Sequence, residues 1–333
     1  PVKFTRKDWK RKTLLIPNVS RAFCKIATAA IRRQGFRVEP LPLGGRDAIK
    51  LGKKYVHNDI CFPAQMNIGE ALTVLESGQY DPDDVVLALA KYQCDCRLAH
   101  YASLARKALD EAGFPQIPIA TTDTLDTKNM YPGFNLGLGF QLRMLWGIVM
   151  IDILEDLLRK IRPYEAVPGE TDRAFTAAVD AVAAGLESGV RKAIREFEKG
   201  VDGLCRVVYR REERKPRVFI IGEYLLNYHP GSNFQVEEYL EKNGMEVVMP
   251  RMIDVFRRDY LRKISEMKDF HVRYPFLETI STYGGEVIFD FAITRLEKIA
   301  LRHPLYEACT RLPDLAEATD PIMHRTFTSG EGW

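Results

Sequence analysis

Short apolar runs alternate with amphipathic stretches through the first third of the chain, and this alternation constrains the fold more than any other feature. Thr13 to Pro17 is an apolar run closed by proline and reads as a buried strand. Asn18 to Gln34 repeats its apolar residues at helical spacing, and Gly35 to Pro40 then reads as a second strand. Cys61 to Ser77 predicts a helix with Pro63 tolerated in its first turn. Asp84 to Ala90 follows as strand, Leu98 to Ala112 as helix and Ile117 to Ala120 as strand. Strands separated by helices at this spacing imply α/β architecture with a parallel, doubly wound sheet. Ligands of such sheets sit beyond the carboxyl ends of the strands.

The rest of the chain predicts a helical connector and a second lobe. Gly133 to Gly139 is glycine-rich, but its spacing matches neither the dinucleotide fingerprint nor the P-loop, and it reads as a turn into a long helix from Gln141 to Lys160. Thr171 to Lys199 predicts another long helix. Pro216 to Glu223 reads as a strand running into a Gly-Glu turn, Asn233 to Asn243 as a helix and Met245 to Pro250 as a strand, with helices afterwards through Lys268 and from Gly285 to Arg302. Gly35-Phe36-Arg37-Val38-Glu39-Pro40 and Gly244-Met245-Glu246-Val247-Val248-Met249-Pro250 occupy the same place after a helix, a weak internal echo of two related lobes. The expected division is 1–140 as first lobe, 141–213 as connector and 214–333 as second lobe. Two strands do not make a stable sheet alone, so the second lobe is expected to be truncated and the chain to be a piece of a longer polypeptide.

Composition narrows the function. A net charge of +3 over 333 residues gives little support for nucleic-acid binding. The longest apolar candidate, Leu142 to Leu158, contains Arg143, Asp152, Glu155 and Asp156 and reads as a buried helix, so no membrane partner is expected. Six unevenly spaced cysteines do not form a secreted disulfide framework, and a reducing cytoplasm fits them better.

Two of those cysteines stand in similar surroundings. Asn58-Asp59-Ile60-Cys61-Phe62-Pro63 and Gln93-Cys94-Asp95-Cys96-Arg97 each put a thiol where a loop becomes a helix start. There the helix dipole and free N–H groups favour thiolate over thiol. Two thiolates from two helix starts suit an iron–sulfur cluster or a soft metal; a buried hydrophobic role is the alternative. Cys94 is either a third donor or a spectator. Cys24, Cys205 and Cys309 read as structural. His57 and His100 flank the thiol sites, and a zinc site is open only through mixed Cys/His ligation. Glu223, Asn227, Tyr228, His229 and Asn233 cluster after a strand and read as turn chemistry.

An ordered set of motifs adds to this. It comprises Tyr55 to Ala64, Cys96-Arg97 with Tyr101 and Arg106, Ala112 to Pro118, Tyr131-Pro132-Gly133-Phe134, Arg162-Pro163-Tyr164-Glu165, Pro216 to Glu223 and the closing Gly330-Glu331-Gly332-Trp333. Together they resemble the dehydratase-like half of the large fused acyl-CoA dehydratase activase-related proteins, in the 2-hydroxyacyl-CoA dehydratase and double-cubane cluster superfamily. The resemblance implies two flavodoxin-like lobes and three cysteine ligands per cubane. It implies a [4Fe–4S] or double-cubane [8Fe–9S] cluster fed with electrons by an ATP-hydrolysing activase, fused or separate. By position Cys61 matches the first ligand and Cys96 the second; the third lies in a motif after Gly-Glu-Gly-Trp. Cys94 departs from the pattern, which has a glycine-rich run there. The remainder of the longer chain or a second subunit, and a small-molecule or acyl-CoA substrate, are the other implied partners. A cluster-free scaffold or CoA-ligand module, and a zinc-binding structural module, are the alternative expectations.

Overall fold

The structure, a computed structural model, describes residues 2–91, 96–122, 134 and 136–326. Cys94, Tyr131 to Gly133 and Gly330 to Trp333 lie outside the described residues. The chain forms two compact units. The first comprises Pro1–Leu142 with Leu225–Val236, the second Arg143–Tyr224 with Glu237–Trp333. Residues 225–236, expected at the start of the second lobe, thus lie in the first unit.

The first unit is α/β. In order it contains α1 (Asp8–Arg11), β1 (Thr13–Ile16), α2 (Arg21–Arg32), β2 (Arg37–Pro40), α3 (Arg46–Tyr55), α4 (Phe62–Glu76), β3 (Val85–Leu89), α5 (Tyr101–Glu111) and β4 (Ile119–Thr121). The four strands form one parallel sheet in the order β2-β1-β3-β4. Every residue of β3 is buried, as a central parallel strand covered on both faces requires. Leu15, Leu72, Leu87, Ala108, Leu109 and Ile119 share the core between sheet and helices. Ser20 caps α2 by accepting a hydrogen bond from the Phe23 N–H at 3.1 Å, so that helix starts three residues later than its periodicity suggests. Cys24 on α2 is buried, and burial pushes its thiol up to about 12, the behaviour of a structural cysteine.

The sequence gives no warning of α3. It packs antiparallel against α4 at backbone distance. A Cβ on Gly52 would stand 1.8 Å from the Gln65 carbonyl oxygen, and one on Gly69 would stand 1.8 Å from that of Ala48. Two glycines therefore permit this crossing and carry the chain to the start of α4.

The second unit is mainly helical. It contains α6 (Gly137–Ile161, whose first residues fall in the first unit), α7 (Glu170–Ser188), α8 (Val190–Cys205), β5 (Arg217–Phe219), α9 (Tyr224–Tyr228, shared with the first unit), α10 (Val236–Lys242), β6 (Glu246–Val248), α11 (Met252–Asp269), α12 (Phe276–Ala300) and α13 (Leu312–Thr319). Among the described residues its sheet has two parallel strands, β5 and β6. The single helix expected from Thr171 to Lys199 is two. Gly189 at φ +148° breaks it in a region open essentially to glycine alone, and α7 folds back on α8. The alanine-rich run hid this break.

Arg162-Pro163-Tyr164-Glu165 proves to be a structural hub. Arg162 makes two bonds of 2.8 Å to Glu241, Tyr164 Oη donates to Glu246 at 3.0 Å, and Glu165 accepts from the Gly169 and Thr171 N–H groups at the start of α7. By length and composition the helical segment Gly137–Tyr164 would suffice to cross a membrane, yet half of its most apolar window is buried within the protein. Its charges are also engaged. Arg159 pairs with Glu155 and Glu237, and Lys160 with Asp156.

Asp152 on α6 accepts from the Met252 and Ile253 N–H groups, both at 2.9 Å, and so caps α11. Burial pushes its carboxyl up to about 8, against the lowering effect of those two N–H groups. The folded pKa thus lies above the ordinary 3.8. Its stabilising contribution is complete below the ordinary value and is lost as pH rises through the folded one. Between about pH 5 and about pH 8 the thermal midpoint of wild type is expected to fall relative to that of Asp152→Asn. Parallel profiles of the two proteins would contradict this.

Candidate functional site

The two helix starts singled out in the sequence meet in the first unit. Cys61 is the N-cap of α4, with φ −170° and ψ 125°, half-buried and without a side-chain cap bond of its own. The unsatisfied N–H groups of the first turn of α4 lie next to this residue. Cys96 is exposed and caps the short 3-10 turn Arg97–His100 that leads into α5. Its Sγ accepts from the Leu98 N–H at 3.5 Å. Because that turn follows the carboxyl end of β3, Cys96 stands where an open parallel sheet places ligands.

Three contacts bring the two segments together. The Arg97 guanidinium donates to the Asp59 carbonyl at 3.2 Å and to the Ile60 carbonyl, the two residues that precede Cys61. Tyr101, the first residue of α5, has its hydroxyl 2.8 Å from Cys61 Sγ and is 5% exposed. Gln65 on α4 is buried and donates to the His57 carbonyl at 3.2 Å and to Asn58 Oδ1 at 3.4 Å, fixing the loop ahead of Cys61. Arg97 and Tyr101 belong to the motif quoted with Cys96, and their function is now visible: they hold one thiol segment against the other. Where Cys61 is a thiolate, the Tyr101 hydroxyl donates to it.

The chemistry these residues offer is soft-donor ligation. Cys61 and Cys96 supply two thiols on segments joined by Arg97 and Tyr101. Among the described residues no group of three or more His, Cys, Asp or Glu side chains is arranged to hold a metal ion. The described residues thus supply two thiol donors and no third donor beside them. Cys94 lies outside the described residues. His57 is exposed and its Nδ1 accepts from the Asp59 N–H at 3.2 Å; His100 is exposed in the turn after Cys96.

A second polar arrangement escaped the sequence. His229 is wholly buried, with Nε2 2.8 Å from Glu70 Oε1. Its Nδ1 accepts from the Ser232 N–H at 3.0 Å, which places the proton on Nε2 and makes Glu70 the acceptor. Glu70 Oε1 also accepts from the Gly44 N–H at 2.6 Å. This pairing, rather than turn chemistry alone, accounts for His229, and it pins residues 225–236 to α4. The signal available was Glu70 itself, the only charged residue between Phe62 and Leu75. Leu225 adds apolar contact with Ile49 and Met66 on the same side.

Cys309 and Cys205 belong to the second unit. Burial pushes the Cys309 thiol up to about 11, and burial followed by the nearby Asp202 raises that of Cys205. Both shifts oppose thiolate formation. In comparisons with known proteins, no family model, no curated protein and no solved structure matches the chain.

Proposed function

We propose that this protein is an iron–sulfur cluster-binding component of an ATP-dependent low-potential reductase or dehydratase system, of the 2-hydroxyacyl-CoA dehydratase or double-cubane type that its motifs resemble. One observation carries the reading: Cys61 and Cys96 each cap a helix start, and Arg97 and Tyr101 tie the two starts together. The first unit is, on this reading, a flavodoxin-like lobe, which its strand order β2-β1-β3-β4 supports. Cys61 and Cys96 would hold iron, with Cys94 or a residue beyond the described ones completing the set. When bound, the cluster supplies one-electron reduction at low potential.

The chain's own residues do the rest. Cys61 and Cys96 would each hold iron from the residue that precedes a helical turn. With Cys61 bound to iron as a thiolate, the Tyr101 hydroxyl 2.8 Å from its Sγ would donate to it and would tune the potential, since hydrogen bonds to cluster sulfurs set it. Arg97 keeps the loop before Cys61 in place.

Partners follow from what the second unit leaves uncovered. On α12, Phe276, Leu277, Val287 and Phe291 are 58–79% exposed, and Phe219 on β5 is 55% exposed. Apolar surface of this extent supports docking of a further segment of the same polypeptide or of a second subunit. The ATP-hydrolysing activase is the proposed electron donor, a small molecule or acyl-CoA the proposed substrate, and a reducing cytoplasm the proposed setting.

The test is iron and acid-labile sulfide content of anaerobically purified protein, with an EPR spectrum after dithionite reduction. The protein is compared with a version extended past Trp333. Equal iron and sulfide with a reducible signal in the longer version is the expected result. Zinc, or no metal in either version, would overturn the proposal.

A further inference from the structure

The face of α3 turned away from its glycine crossing carries a dense positive charge. Arg46, Lys50 and Lys53, together with Ile49 and Phe234, line an open groove of about 360 Å³ within the first unit. Arg46, Lys50 and Lys53 are exposed, whereas Ile49 is buried and floors the groove. Counting Lys54, α3 has four cations against the single acid Asp47, in a chain whose total net charge is only +3. Among the described residues no carboxylate pairs with Arg46, Lys50 or Lys53.

Part of this charge opposes the stability of its own helix, although Lys53 and Lys54 in its last turn suit the dipole. Arg46 sits at the first position of α3, where the helix dipole disfavours a cation. Arg46 and Lys50 are like charges four residues apart, which is also unfavourable. The arrangement favours an anion.

Phe234 makes the groove more than a basic patch. It is 60% exposed and has φ +56°, and Gln235 follows at φ +60°. Two consecutive non-glycine residues in the left-handed region are strained and persist only where their surroundings hold them. Here the holding is visible. Gln235 N–H donates to the Pro230 carbonyl and to Asn233 Oδ1, and Asn233 Nδ2 donates to the Leu226 and Asn227 carbonyls. The buried His229–Glu70 bond anchors the whole segment. The result is an aromatic ring presented to solvent beside three cations, with the Arg46 guanidinium carbon 5.6 Å from the ring centroid.

We infer that this groove binds a nucleotide carrying two or more phosphates, the base stacked on Phe234 and the phosphates along Arg46, Lys50 and Lys53. The seven residue steps from Arg46 to Lys53 rise about 10 Å along the helix, the scale of a nucleoside diphosphate. The flat apolar ring and floor distinguish this ligand from inorganic phosphate, because they reward a π-face that phosphate lacks. The inference rests on the first unit alone and is independent of any cluster at Cys61 and Cys96.

Calorimetric titration of the full chain with ADP, and separately with pyrophosphate, tests it. ADP is expected to bind more tightly than pyrophosphate by at least about fivefold, the smaller end of what one stacked base contributes. Phe234→Ala is expected to lower ADP affinity by about tenfold and to leave pyrophosphate binding unchanged. Lys50→Gln with Lys53→Gln is expected to weaken both ligands and to flatten the salt dependence. All three positions are exposed, so the fold tolerates the changes, and circular dichroism checks this. Equal affinity for ADP and pyrophosphate, absence of ADP binding at millimolar concentration, or ADP binding indifferent to Phe234→Ala would overturn the inference.

Discussion

Cys61→Ala and Cys96→Ala are each expected to strip most of the iron and sulfide from anaerobically prepared protein extended past Trp333, a loss of about tenfold or more relative to the same protein with both cysteines. The expectation follows from geometry. The two thiols stand at helix starts whose segments are bonded to each other by Arg97 and Tyr101, so a cluster held by one is within the region served by the other. Tyr101→Phe provides a finer measurement. It leaves both thiols in place and removes only the hydroxyl 2.8 Å from Cys61 Sγ. Iron content should survive this change, while the reduction potential moves to a more negative value as a hydrogen bond to sulfur is lost. Cys24→Ala serves as a control, because Cys24 is buried in α2 with its thiol directed to the Pro17 carbonyl at 3.6 Å. Wild-type iron in folded Cys61→Ala and Cys96→Ala proteins would remove the basis for the proposed function.

The second large effect concerns stability. Gly52→Ala places a methyl group 1.8 Å from the Gln65 carbonyl oxygen, where no side-chain rotation relieves the contact because the obstructing atom is backbone. The helices α3 and α4 must separate. The expected cost is at or above about 3 kcal/mol, the upper end of ordinary overpacking. Equilibrium unfolding in urea reads this as a lower midpoint. Gly69→Ala should behave alike, since its Cβ would meet the Ala48 carbonyl oxygen on the opposite side of the crossing. A midpoint within about 0.5 kcal/mol of wild type in both variants would show that the crossing relaxes at little cost. Because α4 starts at Cys61, the same variants are expected to disturb metal retention without touching a ligand.

How far the sequence was legible depends on where each element's information lies. Three strands of the first sheet, β1, β3 and β4, were readable because each is a short apolar run whose burial leaves no alternation to confuse, whereas β2, an edge strand with only Val38 buried, was readable from the Gly35 and Pro40 that bound it. The internal echo was readable for a local reason also. Gly35 and Gly244 both take positive φ after a helix, at +90° and +78°, and each returns the chain to a parallel strand beside the preceding one. The helix α3 was not readable, since only a neighbouring helix explains why Gly52 belongs inside it. The break at Gly189 was masked by an alanine-rich context that favours continuous helix.

The site divides in the same way. Its thiols were legible because helix starts have local signatures: a proline in the first turn after Cys61, and a polar loop after an apolar strand before Cys96. That Arg97 reaches the carbonyls of Asp59 and Ile60, and Tyr101 the sulfur of Cys61, spans some 40 residues and is fixed only when α4 and α5 pack together. Glu70 and His229 lie 159 residues apart and have no sequence signal as a pair. Sequence alone therefore determined the strands of the first sheet and the placing of Cys61 and Cys96 at helix starts, which depend on short-range preferences of the backbone. Tertiary structure alone decided which donors and charges face one another, because burial and backbone approach depend on segments that are distant along the chain.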